Sequence, residues 1–191
     1  MTKLLTDDSK THDFSDGNGP VPAHRHRNSD GTEGGWVADT ATVDATARVY
    51  PDARVYGHAV VRDHAVVGDH AEVSDHAVVV GHAVARGHAV VRDHAVVGDH
   101  AEVCGHAVVL NRAVVSGSAV VDGHAVVRAH AVVLNRAVVS GNAVVSGNAV
   151  VTGNARVCDD TVVSDLARVC GDAAVCGDGV FDHARVYGDA K

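Results

Sequence analysis

The sequence predicts an all-β fold, a solenoid of short parallel strands wound on a six-residue repeat, and three observations predict it. Ala recurs at every sixth place from Asp39 onward, with Val two places behind it. Apolar residues make up 46% of the chain but aromatic residues only 3%, so the interior must be filled by small and β-branched side chains. Gly, Asp, Asn and His fill most of the two places before each Ala, as turn residues do.

The repeat can be read unit by unit. Gly57-His58-Ala59-Val60-Val61-Arg62 is followed without insertion by Asp63-His64-Ala65-Val66-Val67-Gly68 and Asp69-His70-Ala71-Glu72-Val73-Ser74. The register holds from Asp39 to Gly177, with Ala third except at Thr161 and Gly179, and Val fifth except at Ala85 and Phe181. One residue is missing from the rung Gly177 to Phe181, and Asp182 resumes the pattern. A period of six is a multiple of two, so each unit reads as a strand with its third and fifth residues inward and its fourth outward. On an α-helix the same residues would scatter around the axis. The first and second places read as a turn. Pro51-Asp52 fills them like a type II turn, which puts the left-handed residue second.

Val67-Gly68-Asp69-His70-Ala71-Glu72-Val73 resembles the hexapeptide repeat of left-handed parallel β-helices of the bacterial transferase type. The resemblance covers residues 39–191. It implies a triangular prism of three hexads per coil, hence about eight coils, and the left hand is implied by the family alone. Residues 1–38 are polar by contrast and read as a cap, with Trp36 in it and Met1 to Asp30 partly mobile. Ser140-Gly141-Asn142-Ala143-Val144-Val145 is similar in wording to phage- or prophage-associated members of unassigned role.

Composition excludes several function classes. A formal charge of −8, with lysines only at Lys3, Lys10 and Lys191, argues against a nucleic-acid surface. No leader or apolar span is legible, so neither membrane nor export is expected. The four cysteines lack C-x-x-C spacing, and a cytoplasmic location with free thiols is the expectation. Cys158 and Cys176, 18 residues apart, nevertheless stack on successive coils, close enough for a disulfide.

Eleven of the fifteen histidines occupy the second place between His58 and His130. With 18 residues per coil they form corner columns: His58, His76, His94 and His130; His64, His82 and His100; His70, His88, His106 and His124. Asn142, Asn148, Asn154, Asp160 and Asp172 follow in the same place, which reads them all as residues tolerant of positive φ. Members resembling γ-class carbonic anhydrases place three histidines across a subunit interface, with an Arg-x-Asp and a Gln. This chain has no Gln. His12, His24 and His26 are weak metal candidates outside the repeat, and no cofactor is expected. Acyltransferases of the superfamily imply a trimer with a catalytic His and a pantetheine groove between prisms. Here no inserted loop or neighbouring partner singles out one histidine.

The outward column Val60, Val78, Val96, Val114, Val132 and Val150 predicts lateral association into a homodimer or homotrimer. Two internal duplications, Gly57–Val73 with Gly87–Val103 and His106–Gly117 with His130–Gly141, are offset by 30 and 24 residues. Neither offset is a whole number of coils, so copying moves each segment to another face and would scramble an active site. The sequence therefore favours a non-enzymatic, self-associating scaffold. The alternatives are an acyltransferase-like trimer with its site between prisms and a module that binds a small ligand.

Overall fold

The computed structural model describes residues 10–188, and within them the chain is all-β. It winds into a parallel solenoid of about eight turns whose three walls are sheets of ten, nine and eight strands. Within the regular coils each strand residue pairs with the one eighteen places on, as Val60 with Val78 and Val66 with Val84.

Backbone pairing between coils is nearly complete. The fourth residue's N–H donates to the third carbonyl of the next coil (Val60 to Ala77, 2.9 Å), and the sixth to the fifth (Arg62 to Val79, 3.0 Å). The second donates to the first, as His64 does to Gly81 at 2.9 Å. That leaves the N–H of the first residue without a backbone acceptor. In several coils an Asp of the coil above supplies one with its carboxylate: Asp69 accepts from Gly87, Asp93 from Asn111 and Asp99 from Gly117, each at 2.9 Å. These amides lie at the solvent-facing corners, and the Asp carboxylates give them a partner within the chain in place of water.

Inside, the third and fifth places form one continuous core, with Ala59, Val61, Ala65 and Val67 fully buried and the same pattern running to Val169. Each buried Val removes enough apolar surface from water to contribute roughly 1.5 kcal/mol. Small Ala lets the corners close; Val fills the middle of each wall.

Two details differ from the sequence reading. The left-handed residue is the first of each hexad. Every first residue from Gly57 to Asp182 has positive φ, among them Asp63 (59°), Asn111 (63°) and Ala129 (63°), and no second residue does. With the third N–H bonded back to the preceding sixth carbonyl (Ala65 to Arg62, 3.2 Å), these corners are type II′ turns. The earlier corners at Asp39, Ala45 and Pro51 lack positive φ, and Asp52 is not left-handed either. Proline fixes φ negative, so the corner at Pro51 cannot take the positive φ of the later corners.

The shortened rung also resolves differently. Val180, not Phe181, lies inside, bridged to Val163 and 6% exposed, while Phe181 is 49% exposed. The residue dropped is the third. Thr161, the third residue one coil above, compensates: its buried hydroxyl donates to the Cys158 carbonyl (2.6 Å) and accepts the Gly177 N–H (2.8 Å).

The N-terminal segment is more structured than its polarity implies. Strand β1 (Thr11–His12) pairs antiparallel with β2 (Val21–Arg27), and β2 with β3 (Glu33–Ala38). β3 already holds a rung's place, Val37 pairing with Val55, and Gly35 stands where Ala would because an added Cβ would collide with the Ala53 carbonyl oxygen. Strand formation over Thr11–His12 and Val21–Arg27 replaces the mobile lead-in expected to Asp30. The part of that expectation before Lys10 lies outside the described residues. Asn28 closes the open end of the neighbouring wall. Its side-chain amide donates to the Val49 carbonyl (3.2 Å) and accepts the Val49 N–H (3.0 Å), standing in for a missing strand.

At the other end, Cys158 and Cys176 face each other in register and are joined as a disulfide, Cα atoms 4.7 Å apart. This corrects the expectation of free thiols there. No helix among the described residues is long and apolar enough to cross a membrane.

Candidate functional site: one uncharged face and three histidine columns

Three walls present their fourth and sixth residues outward, and they differ in charge. The ten-stranded wall carries Trp36, Arg54 and Glu72 above Val90 and Val108, with Arg92 and Arg128 at its sixth places. Arg54 is bonded to Glu72, and Tyr56 donates to the same carboxylate at 3.1 Å. Burial and the Glu72 charge hold the Tyr56 hydroxyl above its ordinary range. On the eight-stranded wall Val84 is followed by Glu102, which accepts from Arg86 at 2.6 Å, and Asp122 and Arg156 lie further along. Cys104, on that wall, is pushed up to about 12 by burial and by Asp122, so its thiol stays protonated.

The nine-stranded wall is different. Val60, Val78, Val96, Val114, Val132 and Val150 form one unbroken ladder, bounded by Thr42 and Arg168. From Val78 to Thr152 its outward places hold Val, Gly, Ser, Leu and Thr and no charge at all. The ladder rises about 24 Å at the strand spacing, and all six valines are half-buried by their neighbours in the column.

Histidines line the corners. The rings of His58, His76 and His94 stack at 5.1 and 5.0 Å, and those of His64, His82 and His100 at 5.0 Å each. His70, His88, His106 and His124 stack at 5.0, 4.8 and 4.9 Å. His130 is cut off from His94 by Arg112. All these imidazoles are exposed. Because positive φ falls on the first residue, backbone tolerance does not account for histidine in the second place.

His12, His24 and His26 do not converge on a common centre. His12 stacks on Trp36 (4.4 Å), His24 bonds Asp39 (2.8 Å) and His26 is buried against the Ala47 carbonyl (3.3 Å). Burial, with Arg25 and Arg54 for His12 and with His24 for His26, lowers both His12 and His26 from their usual range. Among the described residues the donors that cluster are Cys158, Asp159 and Cys176, whose sulfurs are already bonded to each other.

Compared with protein-family models and with curated proteins, the chain matches none.

Proposed function

We propose that this chain is a non-enzymatic structural solenoid that associates with copies of itself through its uncharged valine face. One observation carries the reading: of three walls built from one repeat, a single wall is free of charge over five coils. Strand propensity favours Val at every fourth place on all walls. It does not explain why Arg, Glu and Asp are kept off one wall between Val78 and Thr152 and admitted to the other two over the same coils. An apolar surface of this height is more than monomers usually expose, and a twofold or threefold arrangement would bury it in a closed assembly. The duplications fit a scaffold better than an enzyme, since copying carries Val into the fourth place of a new wall (Val60 and Val66 to Val90 and Val96, Val108 and Val114 to Val132 and Val138) but would move a catalytic residue off its face. We read the coil as left-handed and of the hexapeptide-repeat type that its wording resembles, in the company of phage- or prophage-associated solenoids.

The test is sedimentation velocity of the wild type and of a Val78→Glu/Val114→Glu/Val150→Glu variant. The substituted rungs alternate, so no two new carboxylates are neighbours in the ladder. The wild type should sediment as an oligomer and the variant as a folded monomer with an unchanged β-type circular dichroism spectrum. A wild type that stays monomeric at all concentrations ends the reading.

A further inference from the structure

We infer that the stacked corner histidines are binding sites for a divalent late first-row metal ion, Zn²⁺ being the first choice, with each ion held between imidazoles of two consecutive coils.

The fold does not ask for these rings. Arg112, Ser118 and Asn142 occupy the same place with the same backbone bond to the next coil, at 2.8, 2.6 and 2.8 Å. Neither φ nor hydrogen bonding therefore selects histidine over them. What histidine adds is a ring nitrogen, repeated at one height interval along three columns. Neighbouring rings lie 4.8–5.1 Å apart and within 15° of parallel. Two nitrogens on one tetrahedral Zn²⁺ sit about 3.4 Å apart, given bond lengths of about 2.0–2.1 Å. Parallel rings aim their lone pairs side by side, so to share a tetrahedral ion each ring must close in by about 1 Å and swing by roughly 50° toward its neighbour, a reorientation that exposed side chains reach by rotating about both side-chain bonds. Water completes the coordination, as in zinc sites with open positions. Imidazole suits zinc, copper and nickel better than it suits magnesium or calcium. The anionic background of −8 favours any cation at the surface.

The columns set the stoichiometry. A ring that gives one nitrogen to one ion can belong to one pair only. Columns of three, three and four stacked rings hold one, one and two pairs, four ions per chain.

Pairing, and not histidine content, is what the experiment must isolate. Two variants each remove four of the ten stacked rings and leave six. His76→Asn/His82→Asn/His88→Asn/His106→Asn leaves no two rings adjacent. His58→Asn/His64→Asn/His70→Asn/His124→Asn leaves three adjacent pairs. Asn is native to this place at Asn142, Asn148 and Asn154, and thermal melting checks that both variants fold. Ser versions, after Ser118, replace either one that does not. Cysteines and the remaining histidines are common to all three proteins. The full chain, stripped with EDTA, is titrated with ZnCl₂ by calorimetry and equilibrium dialysis. The wild type should take up about four ions more than the pairless variant, and the paired variant about three more. Equal uptake by the two variants, or none by the wild type, overturns the proposal.

Discussion

Each corner of the solenoid depends on one residue in the left-handed region, which most L-amino acids enter only at a cost of about 1–2 kcal/mol. Gly, Asp and Asn fill that place almost throughout, and Ala129, at φ 63°, is the exception among them. Replacing Ala129 with Gly should therefore raise stability by about 1 kcal/mol, after Gly's larger unfolded-state entropy is deducted. Denaturant titration of the two proteins measures it, and a loss of stability would mean the methyl group has a packing role in the corner. The inward Ala and Val places are legible because burial alternates with period two. The left-handed place is misread when Pro51-Asp52 is taken as the guide, since that corner does not share the geometry. Gly abundance at the first place is the better signal, because Gly marks positive φ more selectively than His does. The carboxylate-to-amide bonds from Asp69, Asp93 and Asp99 have no signature at all, because Asp serves equally well as a plain turn residue.

Elements at the two ends escape the pattern for a physical reason. Repeating rungs are specified by periodicity, whereas the cap is held by single side chains, Asn28 on Val49 and His26 on Ala47, which no period announces. Trp36 is recognisable as part of the cap from its position. The antiparallel pairing of β1 and β2 is not. Thr161 looks like an arbitrary lapse from Ala until the missing third residue one coil below gives its hydroxyl two partners. The cap should be sensitive to acid. Burial keeps His26 and His12 from taking up protons as readily as they would in the unfolded chain. Below the unfolded value of about 6.5 the unfolded state binds more protons than the folded one, so cap stability is full above that pH and falls beneath it. Trp36, the chain's one tryptophan and stacked on His12, reports on the cap by fluorescence. Thermal melts followed at Trp36 should shift to lower temperature between about pH 7.5 and pH 5. The shift should shrink in a His26→Asn variant, and an unchanged shift would place the acid sensitivity elsewhere.

At the scale of the molecule the rungs are interchangeable but the walls are not. Excising a whole coil, residues 105–122, keeps every outward residue on its own wall and only shortens the valine ladder. Removing one hexad, residues 105–110, rotates everything beyond it by one wall and continues the ladder from Val96 onto Val120 with Asp122 beside it. Both deletions should fold, because each rung contacts only its neighbours. Only the first should retain the oligomer in sedimentation. If both assemble equally, association does not run through the valine face. The solenoid and the contents of each column are legible from spacing alone. Which wall lacks charge becomes visible only when fourth and sixth places are laid side by side on one surface.

The eighteen-residue pairing interval has a kinetic consequence. In most β proteins strands meet after long loops close, and folding slows as such closures accumulate. Here almost every parallel contact spans the same short stretch of chain, however many coils are stacked. Mean sequence separation divided by length comes to roughly 0.1, the region of helical bundles and well below that of β-sandwiches. Any coil can start the process and each added one repeats the same small closure, so adding coils lengthens the rod without making each step harder.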